Sequence, residues 1–320
     1  VTCAGLSHQV RYLAEAFVLQ GNCEVFHLPP DCSPPPNQPE APIPGVQPAP
    51  PSGFCSPSSP GQIELLVIDG SRTDAAALAH AALRAGWHVL IVPPVPLPPE
   101  ELDALSTSAR TQEQVCGIWR PRRCDPDFRQ ALSVAADPAV GPIHRLHFAL
   151  HEVAAELLPH PVPCSLDVLW DFGAARLDQL RQLVPEAVER VFSRLTYAVP
   201  GFQHESAEPA PEARVTGLSA LIEFSTGTIA ELSLDMAAPA RLATGWTVQG
   251  RSGGYHQGRQ SFTVPDGEIY DVPLNSPELD PVEELIRSLR HSPADRPASV
   301  ATPGEEAAVL QLMDTIRHNG

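Results

Sequence analysis

Between residues 63 and 119 the chain alternates short apolar runs with amphipathic ones, and this alternation restricts the fold more than any other feature. Ile63–Ile68, Val89–Val92 and Val115–Trp119 are apolar runs of four to six residues, each bounded by polar, Gly or Pro positions. Such runs are too short for helices and read as buried strands. Helical periodicity fills the gaps, from about Thr73 to Ala85 and from about Pro99 to Thr111. Strands interleaved with helices predict a parallel sheet joined by right-handed crossovers. Upstream, Val1–Ala4 and Cys23–Leu28 extend the pattern around a helix carrying Val10, Leu13, Ala14, Phe17 and Val18 on one face. Ser7 suits its N-cap and Gly21 its end. A helix over Asp127–Ala135 and the segment "DPAVGPIHRLHFAL" close this half.

The second half has a different rhythm. A helix is expected from Leu166 to Leu183, followed by alternating strands. Leu218, Ala220, Ile222 and Phe224 share one face, Ser225–Thr228 form a turn, and Ala230, Leu232, Leu234 and Met236 continue it. Further strands are expected at Thr247–Gln249, Ser261–Val264 and Ile269–Val272, then helices at Pro281–Arg290 and Gly304–Arg317. Alternation of this kind belongs to an antiparallel sheet with one face packed and the other solvated or covered by a partner. The expected fold is α/β: a Rossmann-like doubly wound parallel sheet over residues 1–142, then an α+β domain with a largely antiparallel open sheet over 143–320. The last helices are free to pack back on the first domain. Residues 29–60 are too proline-rich for helix or interior strand and read as an extended, polyproline-like surface loop.

Charge and composition exclude several activities. The net charge is −17, and all 21 basic residues are arginines. A chain without lysine has no Schiff-base or P-loop lysine and no lysine general acid. Nucleic acid and anionic lipid both demand clustered positive charge, so neither is an expected partner. No apolar run spans a bilayer, and Val1 already lies in a strand, which is compatible with a leader removed before it. The seven cysteines contain no C-x-x-C pair and read as small buried residues of a reducing, cytoplasmic setting.

Several residues invite chemistry. His144, His147 and His151 have the spacing of a metal-ligand face if helical, but on a strand only His147 and His151 share a side. Asp167, Asp171 and Asp178 fall roughly on one helix face, suited to acid–base work or to capping and hydrogen bonding. Arg120, Arg122 and Arg123 with Asp125 form a charged turn that could hold an anion or pair internally. "SGGYHQGRQ" reads as a hairpin loop rather than a phosphate cradle, and no metal site is expected.

Three stretches, "ALRAGWHVLIVPP", "RRCDPDFRQALSVAADPAVGPI" and "LWDFGAARLDQLRQL", with a matching C-terminal helix pair, resemble in order and placement the motifs of the Gfo/Idh/MocA family. The resemblance covers nearly the whole chain outside the proline-rich insert. It implies a nicotinamide-dependent oxidoreductase fold acting on sugars or cyclitols, and it also implies loss of the chemistry. Pro93 stands at the family's active-site Lys and Ala175 at its proton-transferring His, while Asp171, Gly173 and Asp178 of that second motif remain. The cofactor positions are degenerate too: Gly5, Ser7 and Val10 stand at the three glycines, Asp31 lies one place from the ribose-binding acid, and Gly70 to Ala75, with Ser71 at the proline, replace the turn that closes over the cofactor. The expectation is therefore an inactive relative that binds no cofactor and is kept for ligand binding or assembly. It would self-associate through the C-terminal sheet, with a protein partner at the proline-rich loop. The alternative is an NAD- or NADP-dependent oxidoreductase using Asp171, Asp178, His147 or His151 for proton transfer.

Overall fold

The computed structural model describes residues 2–4, 8–19, 25–28, 46–48, 64–153, 168–197, 215–238, 244–263, 269–273, 279–291 and 297–320. They divide into two compact units: Val1–Pro121 with Leu279–Ala307, and Arg122–Glu278 with Ala308–Gly320.

The first unit is built on a seven-stranded sheet. Its strands are β1 (Thr2–Ala4), β2 (Val25–Leu28), β3 (Val46–Pro48), β4 (Leu65–Asp69), β5 (His88–Val92), β6 (Cys116–Trp119) and β15 (Val300–Ala301). They lie in the order β15-β6-β5-β4-β1-β2-β3, all parallel except the antiparallel β15. Starting from the centre and winding both ways is the doubly wound arrangement anticipated from the strand–helix alternation. Its central strands are largely apolar because both faces are covered, with Asp69 and His88 at their ends. All five residues of β4 and of β5 are buried. On one face Leu65, Val67, Leu90, Val92 and Trp119 pack with Val10, Leu13, Ala14 and Phe17 of α1 (His8–Leu19) and with Val282, Leu285 and Ile286 of α6 (Pro281–His291). Helices α2 (Ala75–Arg84) and α3 (Pro99–Thr111) contribute buried Ala79, Ala82, Leu83, Leu102 and Leu105. The proline-rich segment supplies a strand after all: Val46–Pro48 pairs with β2 at the sheet's edge, the position proline tolerates.

A buried ion pair fastens the end of β6. Arg120 and Glu306 are 5% and 0% exposed, and the guanidinium donates from Nη2 and Nε at 2.6 and 3.2 Å. Glu306 lies in the first turn of α7 (Pro303–Asn319), whose start is a reciprocal capping box. The Thr302 amide donates to Glu305 Oε2 at 2.8 Å, and the Glu305 amide donates to Thr302 Oγ1 at 3.1 Å.

The second unit carries an eight-stranded sheet. Its strands are β7 (Ile143–Val153), β8 (Val188–Tyr197), β9 (Val215–Phe224), β10 (Ile229–Ala238), β11 (Gly245–Gly250), β12 (Gly253–His256), β13 (Arg259–Thr263) and β14 (Ile269–Pro273). The order is β14-β13-β12-β11-β7-β10-β9-β8, antiparallel except for the parallel pair β7–β10. Leu146, Phe148, Leu218, Ala220, Ile222, Ala230, Leu232, Leu234, Trp246 and Val248 form the buried face. Helix α4 (Pro126–Ala135) packs on β11 and β12 and so joins this unit, which draws the division at Pro121 rather than near residue 142. Strand β8 was not expected. "SGGYHQGRQ" is itself most of a hairpin, β12 and β13 turning at Gln257 and Gly258, both at positive φ.

The interior of the first unit makes a pH-dependent contribution to stability. His88 is 9% exposed, and its Nδ1 accepts the Val115 amide at 3.0 Å, which fixes the neutral ring with its proton on Nε2. Burial lowers its pKa below the ordinary value. Acidification therefore protonates the unfolded chain first, and stability falls as pH drops through about 6.5. In His88→Gln, which keeps an acceptor but cannot titrate, the loss of melting temperature between about pH 7.5 and about pH 5 should be smaller than in wild type. An equal loss would show that His88 is not linked to folding.

Candidate functional site

In a doubly wound fold, ligands gather at the carboxyl ends of the strands. Here the ends of β4 and β5 are filled by the chain's own groups. Gly70 donates its amide to the Val92 carbonyl at 2.8 Å. A Cβ on Gly70 would sit 2.4 Å from the Pro94 carbonyl oxygen and 2.9 Å from that of Val92, so only glycine fits beneath the cis Pro93–Pro94 turn. Asp69, 6% exposed, spends one oxygen on its own turn: Ser71 donates to Oδ1 from its amide at 3.0 Å and from Oγ at 2.7 Å. Arg72 donates to both oxygens of Asp74 at 2.7 Å. That hydrogen bonding lowers the Asp74 pKa against the opposing effect of burial. From Val92 to Pro99 no side chain can carry a proton. In the sequence Asp69 is visible as the acidic residue that closes an apolar strand in "LLVIDG".

The second motif folds as a π-helical turn, Leu169–Gly173, running into α5 (Ala174–Leu183). Ala175 is partly buried and offers only a methyl group. Asp178 is 1% exposed, and the Arg123 guanidinium donates to its two oxygens at 2.8 and 2.6 Å. Arg176 lies 4.6 Å over the Phe148 ring and donates from Nη1 to Gln179 Oε1 at 2.8 Å and to Asp125 at 3.3 Å. Burial lowers the Arg176 pKa, and Asp125 partly restores it. Gln179 also accepts the Trp246 indole N–H at 2.9 Å and donates to the Arg122 carbonyl. The charged turn after β6 is thus largely occupied by internal pairing. A neighbouring cluster escaped sequence reading. Asp127 accepts the Trp246 amide at 2.9 Å and the Tyr255 hydroxyl at 2.6 Å, and burial together with Asp127 raises the Tyr255 pKa.

The histidines lie elsewhere. On β7, buried Leu146 and Phe148 alternate with Arg145 and His147, and Phe148 meets Trp246 and Arg176 on the helix-covered side. His147 and His151 therefore project from the opposite face, where His151 Nε2 lies 2.8 Å from Ser233 Oγ and His147 stands across from Glu231 and Thr247. His144 is exposed near the strand's start. The structure does not bring His147 or His151 together with the α5 motif. Asp171 belongs to the π-helical turn, but its side chain, like Gly5, Ser7, Asp31 and Asp167, lies outside the described residues. Val10 is 0% exposed, an interior residue of the α1 core. Among the described residues no group of three His, Cys, Asp or Glu side chains has metal-site geometry.

The pairing of Asp178 carries a definite expectation. Asp178→Asn takes the carboxylate charge away from the buried Arg123 guanidinium, and breaking a buried ion pair costs roughly 3–5 kcal/mol. Urea unfolding of the variant should register a loss of that order. A loss below about 1 kcal/mol, the level of exposed pairs, would place the pair in water instead.

No protein-family model and no curated protein sequence matches the chain. Its fold does match solved structures. A UDP-N-acetylglucosamine 3-dehydrogenase from Acidithiobacillus ferrooxidans is 18% identical with a TM-score of 0.69, over 99% of this chain and 96% of that one. A biliverdin reductase from Synechocystis, in complex with biliverdin and NADP+, is 16% identical with a TM-score of 0.67, over 99% and 98%. An NAD-binding protein from Listeria innocua is 18% identical with a TM-score of 0.59, over 80% and 79%. At these identities the likeness establishes architecture: the chain has the Rossmann-like, two-sheet fold found among oxidoreductases.

Proposed function

We propose that this chain is a catalytically inactive relative of the Gfo/Idh/MocA oxidoreductases, retained for ligand binding or assembly. One observation carries the reading: no proton-transfer group stands at either inherited position, and the described substitutes do not converge. Pro93 and Ala175 cannot take or give a proton, Asp178 is held on both oxygens by Arg123, and His147 and His151 face away from α5. The ends of β4 and β5 support it further, since Asp69 accepts Ser71 and Asp74 accepts Arg72 within the turn itself.

The face of the eight-stranded sheet that carries His147 and Phe192 supports the assembly reading. Phe192, 56% exposed, stands beside Leu221 there, among Arg145, Arg190, Glu223 and Glu231 already paired within the face. A second copy would cover these apolar groups at little cost in charge. The proline-rich stretch, offered by sequence as a docking strip, lies mostly outside the described residues. A second reading, an NAD(P)-dependent oxidoreductase with an atypical site, draws support from the fold shared with the NADP+-bound biliverdin reductase.

Calorimetric titration with NADH and NADPH separates the two. The inactive reading expects no saturable heat up to about millimolar dinucleotide, an affinity weaker than about −4 kcal/mol. Binding in the micromolar range, about −8 kcal/mol, overturns it. Asp171 would then be the residue to substitute next.

A further inference from the structure

Strand β8 ends the eight-stranded sheet, so among the described residues one of its edges has no strand beside it. Such an edge is a template for another chain unless something covers it. Here the last turn of α7 does so. Asn319 donates from Nδ2 to the Val191 carbonyl at 2.9 Å, and Ser193 donates from Oγ to the Ile316 carbonyl at 2.7 Å. Gly320 lies against the Leu195 amide, where an added Cβ would come within 3.3 Å of the nitrogen. A carbonyl that meets α7 points away from β9. By alternation, Val191, Ser193 and Leu195 then all direct their backbone groups to the open edge.

The covered stretch is self-complementary. Register shifts interrupt β8 between Val188 and Arg190 and between Thr196 and Tyr197, leaving a regular run from Arg190 to Thr196 with Ser193 at its midpoint. Antiparallel pairing with a second copy about Ser193 sets Val191 against Leu195 on the packed face. On the other face it sets Phe192 against Arg194 and Arg190 against Thr196. No like charges oppose, and an arginine beside an aromatic ring is a favourable cross-strand pair. The register one pair away, centred on Phe192, would oppose Arg190 with Arg194. A groove of about 650 Å³ between β8 and one face of α7, lined by Val191, Phe192, Ala308, Leu312 and Thr315, gives an approaching strand its entry.

We propose that the Ile316–Gly320 turn is a strap that holds the β8 edge shut, and that releasing it lets two copies join β8 to β8 into one continuous sheet, with Ser193 on the two-fold axis. This interface uses the strand's edge and is independent of assembly through the sheet's face.

The test is a cross-link at the axis. Opposed residues in a hydrogen-bonded antiparallel pair have Cα atoms about 5.5 Å apart, within disulfide range. In Ser193→Cys combined with Asn319→Ala, mild oxidation should give a dimer on a non-reducing gel, several-fold more than in Ser193→Cys alone and absent from wild type. Asn319→Ala alone alters only an exposed helix end. It should sediment with a concentration-dependent mass above that of wild type, and at high concentration its Val191 to Leu195 amides should exchange more slowly. Cross-linking no greater than in wild type overturns the proposal. So does an Asn319→Ala protein whose mass and β8 exchange match wild type at every concentration.

Discussion

A guanidinium buried without a partner destabilises a protein by more than most single contacts stabilise it, and the Arg123–Asp178 pair removes that liability at the centre of the second unit. The elements around the pair depend on it. Arg123 comes from the short 3-10 turn Pro121–Cys124 and Asp178 from the middle of α5. Adjacent Gln179 carries the connection to Trp246 on β11, and the Trp246 ring packs tilted, at 49°, against Phe148 of β7 with centroids 5.0 Å apart. Asp127 ties the same strand to α4 through the Trp246 amide. Placing α4 and α5 on the sheet therefore runs through one bidentate ion pair and the amide beside it. Asp178 thereby has a packing task that needs no substrate.

The ends of β4 and β5 show the complementary constraint, imposed by shape. Once the Pro93–Pro94 turn lies directly on Gly70, no side chain fits at that position, and the polar residues that follow turn to one another. Asp69 receives Ser71, and Asp74 receives Arg72. A rigid turn of prolines needs neighbours that satisfy themselves, since proline offers no N–H. Steric closure at Gly70 and internal hydrogen bonding in the following turn are two sides of one local solution.

Much of this was legible in the sequence, for identifiable reasons. Helix α3 runs from Pro99 to Thr111 as read, because Pro98 and Pro99 set its start and Glu100 and Glu101 suit the first turn. Strands β4 and β5 were plain because both faces are buried and each holds four consecutive apolar residues. Strand β8 was invisible because it lies at an edge with one solvated face, and Ser193 interrupts its apolar alternation. At the candidate site, Pro93 and Ala175, neither able to carry a proton, could be read from single letters. The separation of His147 and His151 from α5 could not, since it depends on which face of β7 meets Phe148's partners, a matter of sheet register. The partner of Asp178 was equally hidden, lying 55 positions away in sequence.

The absence of lysine gains meaning from where the arginines went. Arg72, Arg120 and Arg123 each present a planar fork to both oxygens of a carboxylate, and Arg181 gathers the carbonyls of Val184, Pro185 and Glu186 at the end of α5. A lysine could match the charge at these places but not the fork. It is also the cation whose pKa moves readily on burial, the property that lets it exchange protons near neutral pH, whereas arginine keeps its charge. A chain whose basic residues are all arginines has the cation best suited to holding carboxylates and carbonyls, and lacks the one whose proton moves readily near neutral pH. The proline-built turn at position 93 and the arginine-only composition thus agree in one respect: charge is used here to fasten structure.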